Sequence, residues 1–251
     1  MISMTMTDKL KAALQSAGAS LVGYADISSI PAEYRENMPF AVSIAVALDA
    51  QIISEIRNGP TQRYWGEYQR TNALLANIGD RAVEFLHTQG YIGKTLIPTI
   101  VNYDAMLRMG VSYNPETLSA AFPHKTAATL SGLGWIGKCA LLVTREYGSA
   151  VRLTTVLTDA KLPAGKPVTE SRCGNCTACV DACPGHAPSG KKWQTGMPRE
   201  SFFDAFACRK TAYEQAEKIG VRETICGICI AACRRTRKYL RKSGIPQPDD
   251  Q

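Results

Sequence analysis

The cysteines of this 251-residue chain are concentrated in one segment, because eight of the nine fall between residues 173 and 233. Four of them form the array Cys173-Gly-Asn-Cys176-Thr-Ala-Cys179-Val-Asp-Ala-Cys183, and a proline follows. Three thiolates that are two residues apart can hold three corners of one inorganic cluster, whereas the fourth, after a longer gap, points away from them. The segment is therefore expected to fold around metal.

This C-x2-C-x2-C-x3-C-P spacing is typical of paired 4Fe–4S clusters, in which the fourth cysteine ligates the other cluster. Cys226, Cys229 and Cys233 form a second, incomplete run, and Cys208 can supply the missing ligand. Crossed ligation predicts two complete sets: Cys173, Cys176, Cys179 and Cys233 for cluster one, and Cys183, Cys208, Cys226 and Cys229 for cluster two. Cys139 is left over, and we expect it to be a buried strand residue.

Cysteines at this density could instead bind zinc or form disulfides. Four cysteines packed closely before Pro184 disfavour zinc, and a chain that is 45% apolar can bury a core without disulfides. The N-terminus has no basic start followed by an apolar run, and no stretch approaches the ~18 apolar residues of a membrane span. We therefore expect a cytoplasmic protein with no membrane partner. The net charge of +7 permits an anionic partner without requiring one.

Apolar periodicity predicts alternating helices and strands as far as residue 159. The expected helices cover residues 7–17, 65–87 and 123–131, and the expected strands cover residues 41–48, 94–101, 139–143 and 151–157. Residues 161–168 are rich in proline, glycine and lysine and predict a linker. We therefore expect an α+β protein with one domain over residues 1–165 and a cysteine-bearing domain over residues 166–251.

A glycine-rich block, Ser131-Gly-Leu-Gly-Trp-Ile-Gly-Lys-Cys139, imitates two nucleotide-binding motifs. Its glycines spell G-x-G-x-x-G, but the dinucleotide motif needs a strand before it and a helix after it, and the expected order here is the reverse. A P-loop needs Ser or Thr after the lysine, where Cys139 stands. The block is interpreted either as a tight helix-to-strand connection or as backbone that approaches a flat or bulky ligand beside Trp135.

The block from His124 to Lys138, followed by Tyr147-Gly-Ser149 and Leu157-Thr-Asp159, resembles the epoxyqueuosine reductase family, as does the cysteine order. Members of that family are similar to corrinoid-dependent reductive dehalogenases. The resemblance implies a nitroreductase-like, cobalamin-binding α/β domain followed by a small ferredoxin-like domain with two 4Fe–4S clusters. It also implies that electrons pass through the clusters to cobalamin, which reduces the epoxide of a modified tRNA base. The residues implied for the corrinoid pocket are Gly132, Leu133, Gly134, Trp135, Ile136, Gly137, Lys138, Tyr147, Gly148 and Ser149.

Two departures from the family pattern bear on the substrate. The family's reductases carry Asp-x-x-Pro-x-x-Glu-Arg before the glycine block, with the aspartate as proton donor, whereas residues 116–125 of this chain contain no aspartate. They also continue into a helical-repeat region that helps to hold tRNA, which we expect this chain to lack. The candidates for a replacement proton donor are Tyr103, Asp104, Tyr113 and His124. Histidine is the most readily tuned of these near neutral pH, although His124 could simply start a helix and Asp104 could simply form a turn.

We therefore expect an iron–sulfur oxidoreductase that takes electrons from a low-potential donor through two clusters to a cobalamin site. Its substrate would be an unidentified small molecule or a corrinoid protein. Two alternatives stay open: a non-catalytic electron-transfer protein or reductive activator of a corrinoid protein, and tRNA epoxyqueuosine reduction, which the two departures disfavour. The basic stretch over residues 234–242 is interpreted as a solvated helix end, or as a contact for RNA phosphates or an acidic redox partner.

Overall fold

The computed structural model describes residues 4–98 and 113–247. Within those ranges the helices are α1 (Met6–Ser16), α2 (Ala50–Glu55), α3 (Gln62–Thr88), α4 (His124–Leu130), α5 (Ala178–Asp181), α6 (Ala205–Glu217), α7 (Ile228–Ala232) and α8 (Arg234–Lys242). The strands are β1 (Leu21–Asp26), β2 (Phe40–Ala47), β3 (Gly93–Leu96), β4 (Tyr113–Asn114), β5 (Ser119–Ala120), β6 (Gly134–Ile136), β7 (Leu142–Thr144) and β8 (Val151–Thr158). No helix in the described part of the chain could cross a membrane.

A four-stranded antiparallel sheet, in the order β1-β2-β8-β3, forms the framework. In its register Ser43 of β2 lies between Gly23 of β1 and Thr155 of β8. Helices α1 and α3 pack on one face through residues such as Leu10 and Leu75, because both helices present an apolar stripe. Helix α4 covers part of the other face and thereby places the glycine block beside the sheet.

The expected helices and strands are confirmed in outline, with several corrections. The strand expected over residues 94–101 is observed as Gly93–Leu96, and residues 99–101 lie outside the described residues. The strand expected over residues 139–143 is observed as Leu142–Thr144. Helix α1 begins after Thr5 rather than Thr7, because the side chains of Thr5 and Asp8 form a reciprocal capping box. The sequence patterns missed β1. Cys139 is buried as expected, but it lies in the turn between β6 and β7, where the N–H of Gly137 donates to the carbonyl of Leu141.

The cysteine-bearing segment shares an apolar core with the N-terminal half. Ile53 of α2 and Tyr64 of α3 are buried together with Ala216 of α6, Ile230 of α7 and Leu240 of α8. Two units that bury their apolar surface against each other in this way need not be separate domains. A mixed fold of helices and strands is confirmed, whereas the two-domain, ferredoxin-like layout is not, and the boundary at residue 165 stays a prediction.

A candidate redox site beside the glycine block

The predicted ligands of cluster two lie close together. All nine cysteines are free. Burial, together with the neighbouring thiols of Cys183 and Cys226, raises the pKa of Cys208 to about 11. Cys229 and Cys226 both lie near the buried hydroxyl of Tyr64. Cys208, which stands apart from the other cysteines in the sequence, is therefore brought by α6 close to Cys183 and Cys226, and its role as a cluster ligand stays a prediction.

Two predicted ligands of cluster one meet at the glycine block. Cys173 and Cys233, which are far apart in the sequence, both pack against the apolar group that contains Trp135. The thiol of Cys139 lies within hydrogen-bonding reach of Cys179 and of Cys229, which belong to different predicted sets. Helix α5 packs against α7, so the two cysteine runs face each other around this buried thiol. The assignment of individual ligands stays a prediction.

The described thiols do not gather around the position of any single ion. In the described residues, no three His, Cys, Asp or Glu side chains converge closely enough to hold one metal ion. A zinc ion needs its ligands at about 2.0–2.3 Å from one point, whereas a cubane of four irons distributes its ligands over four corners. The two runs contain seven thiols and Cys208 makes eight, the number that two 4Fe–4S clusters need; the number of clusters stays a prediction.

Two lysines lie near these thiols: Lys125, which the sequence interpretation missed, and Lys138, which it assigned to the corrinoid pocket. Lys125 turns inward, its Nζ donates to the carbonyl of Ala140 at 2.6 Å, and burial lowers its pKa to about 8. Cys139 and Cys208 lie close to it. Lys138 is 5% exposed and lies near Cys179. Buried cations favour the thiolate form that a cluster needs. No motif marked Lys125, and only its position next to His124 could have drawn attention to it.

The glycine block is a tight connection within the protein. Helix α4 precedes it and the β6–β7 hairpin follows it, so it does not have the context of a dinucleotide site. Gly132 has a φ of +80°, and a Cβ there would lie 2.7 Å from the carbonyl oxygen of Lys166. A Cβ on Gly134 would lie 2.3 Å from the carbonyl oxygen of Val143. Both glycines are thus explained by close contact with protein backbone.

A cavity of about 510 Å³ opens beside the first half of this block. Its lining includes four of the residues implied for the corrinoid pocket, Gly132, Leu133, Gly134 and Trp135, and the cations Arg145, Lys166 and Arg172. A smaller cavity of about 340 Å³ shares the indole and continues between Arg145, Arg172, Arg235 and Lys238. The volume lies in the range of cofactor sites, and the lining carries the carboxylate of Glu146 as well as the three cations, whose charge suits an anionic ligand. Binding of cobalamin there stays a prediction.

The other residues implied for the corrinoid pocket lie outside this lining: Ile136, Gly137, Lys138, Tyr147, Gly148 and Ser149. Three of them fasten α8 to the turn between β7 and β8. The N–H of Ser149 donates to Oγ1 of Thr236 at 3.0 Å, and the ring of Tyr147 meets the ring of Tyr239 edge-on at 5.2 Å. A Cβ on Gly148 would lie 2.1 Å from the nitrogen of Thr236. Their contact with a corrinoid stays a prediction.

The predicted proton donors are distributed unevenly. Tyr103 and Asp104 lie outside the described residues, and Tyr113 is half-buried in β4. His124 is buried, with Nε2 2.9 Å from the carbonyl oxygen of Ile97 and Nδ1 3.0 Å from Oγ1 of Thr155. A carbonyl only accepts, so Nε2 carries the proton, and burial lowers the pKa to about 4. His124 is thus a neutral side chain that joins α4 to β8.

No family model matches the chain, but curated relatives and solved structures do. The epoxyqueuosine reductase of Bacillus cereus is 34% identical over 110 residues, which cover 43% of this chain and 28% of the relative. The epoxyqueuosine reductase of Cellulophaga algicola is 46% identical over 134 residues, which cover 52% of this chain and 44% of the relative. The matched segments therefore span less than half of each of these relatives.

Two kinds of solved structure share the fold over nearly the whole chain. A catabolic reductive dehalogenase in complex with 3-bromo-4-hydroxybenzoic acid matches with a TM-score of 0.64 at 16% identity, covering 96% of this chain and 34% of that chain. An epoxyqueuosine reductase with an epoxyqueuosine-modified tRNA stem loop matches with a TM-score of 0.59 at 20% identity, covering 98% and 70%. The fold is thus one that these two classes of reductase share. Within it, the chain is epoxyqueuosine reductase-like, as its motifs predict.

Proposed function

We propose that the chain is a reductase in which two 4Fe–4S clusters pass electrons to a cobalamin beside the glycine block, and that its substrate is the epoxide of a modified tRNA base. The observation that carries this proposal is the position of Trp135, which contacts Cys173 on one side and lines the cavity on the other. One side chain thus separates a predicted cluster ligand from a cofactor-sized space.

The choice of substrate gives more weight to the comparisons with known proteins than to the two departures of the sequence from the family pattern. Those departures favour an unidentified substrate, but the curated relatives carry the name epoxyqueuosine reductase, and one structural neighbour holds a modified tRNA stem loop. The rim of the two cavities and the exposed side of α8 are cationic, which suits an RNA backbone. The tRNA alternative is therefore the first to test.

Each group of residues has a role in this proposal. Cobalamin, when bound, would supply the strongly reducing metal centre that epoxide reduction needs. The two predicted sets of cysteines hold the clusters, and Lys125 and Lys138 stabilise their negative charge. Arg145 and Arg172 pair with anionic groups at the rim. The buried His124 orders α4, which leads into the cavity wall, and Tyr103 and Asp104 remain the proposed proton donors.

The test uses the full chain, reconstituted anaerobically with iron, sulfide and cobalamin and reduced by titanium(III) citrate. A tRNA stem loop that carries epoxyqueuosine is added, and the modified base is analysed by mass spectrometry. We expect loss of the epoxide oxygen that depends on cobalamin. Cys173→Ser should abolish it, whereas Cys139→Ala should retain it.

The other results separate the remaining hypotheses. A chain that binds both clusters and cobalamin but leaves the epoxide unchanged contradicts the substrate and points to the unidentified one. A chain that binds clusters but no cobalamin supports an electron-transfer protein or a reductive activator of a corrinoid protein.

A further inference from the structure

We infer that Trp135 sets the reduction potential of cluster one through an N–H···S hydrogen bond to Cys173. The indole Nε1 lies 3.4 Å from Sγ of Cys173. Indole N–H is a donor only, so sulfur is the accepting partner. The inference rests on the proposed function in one respect, because it requires that Cys173 hold a cluster.

The position of the indole is fixed by its surroundings. Trp135 is 2% exposed and packs between Val143 and Val168. It belongs to β6, where it pairs directly with Val143 of β7. A hydrogen bond that is held in a dry, close-packed environment is stronger than one that water can replace. The packing of the indole therefore holds its N–H group against the sulfur of Cys173.

This contact favours the reduced state of the cluster. One-electron reduction adds negative charge that is shared by the ligating sulfurs, and hydrogen bonds to those sulfurs are among the factors that set the potential. A cation acts in the same direction, and the guanidinium of Arg235 lies 5.7 Å from the centre of the Trp135 ring. Both groups therefore make the potential of cluster one more positive.

A more positive potential at cluster one determines the direction in which electrons move along the proposed path. Trp135 lines both cavities, so cluster one is the cluster that faces the proposed cofactor. A more positive potential there draws electrons from cluster two toward the cavity. Trp135 thus affects electron transfer indirectly, through its contact with Cys173.

The experiment is a redox titration of the reconstituted chain, followed by electron paramagnetic resonance, on Trp135→Phe. Phenylalanine keeps an aromatic ring and removes the N–H. The equilibrium constant for reducing one of the two clusters should fall by a factor of about 5. At 59 mV per tenfold, this makes the potential of that cluster more negative by about 40 mV for one electron. The control is Trp193→Phe, because Trp193 packs with Phe202 in a different apolar group, and it should leave both potentials unchanged.

Two further measurements cover the case in which Trp135→Phe fails to fold. Wild-type protein grown with a fluorinated tryptophan has a more acidic N–H of the same shape, so the same potential should become more positive. Arg235→Gln should make it more negative, whereas Lys242→Gln, also exposed on α8, should leave it unchanged.

Unchanged potentials in Trp135→Phe, or an equal shift in Trp193→Phe, would overturn the inference. If Trp135→Phe fails to fold, unchanged potentials with fluorinated tryptophan would overturn it instead. Wild-type protein that takes up no iron contradicts the proposed function itself, and iron content distinguishes that failure from the failure of this inference.

Discussion

Burial of His124 makes the stability of the chain depend on pH in a predictable way. Its pKa is lowered to about 4 in the folded protein from the usual 6.5 of a histidine, with desolvation as the largest cause. The unfolded chain therefore binds a proton that the folded chain does not. The stabilisation is complete above pH 6.5 and is lost as the pH falls toward 4. Between about pH 7.5 and pH 5.5 the free energy of unfolding should fall by about 1.4 kcal/mol from this residue.

The assay is anaerobic urea unfolding of the wild type and of His124→Gln at both pH values. The variant loses hydrogen bonds and is less stable throughout, but its stability should fall less on acidification, by the amount given above. The matched control is His87→Gln, because His87 is exposed at the end of α3, and it should keep the full wild-type dependence. If His124→Gln and the wild type lose equal stability, the histidine is not held neutral and the reasoning is refuted.

Two further pairs of substitutions test how the site is built. Gly148→Ala should destabilise the chain by about 3 kcal/mol in urea unfolding, because φ is +60° and the new Cβ would meet the backbone of Thr236. The control is Gly196→Ala, which should cost only about 1 kcal/mol because φ is +83° but the surrounding space is open. Iron analysis should find about eight irons per chain in Cys139→Ala and about half as many in Cys208→Ala. Equal iron in the two variants contradicts the assignment of Cys208.

The parts of the site that could be predicted are those for which the spacing of the cysteines along the sequence already indicates what they bind. The cysteine runs are local, so their separation along the chain already limits what they can hold. The same logic predicts Cys208 as the missing ligand, since only one remaining cysteine is available in the segment, and this assignment stays a prediction. Strand β2 was equally clear, because a buried strand is apolar along its whole length.

The parts that could not be predicted depend on contacts between distant segments. The sequence left open whether the glycines of the block form a tight connection or approach a ligand, and residues 143 and 166 fill the space beside two of them. The hydrogen bond between Trp135 and Cys173 joins residues 38 positions apart. The core shared by α2, α3 and the cysteine segment likewise left no local pattern. Tertiary packing decided each of these features.

The most direct test of the central claim is the content of iron and cobalamin in the anaerobically reconstituted chain. We predict about eight irons and about eight sulfides per chain, from two cubanes, together with saturable binding of cobalamin. About four irons per chain, or zinc in place of iron, contradicts the two-cluster site. A full complement of iron without cobalamin binding contradicts the reductase.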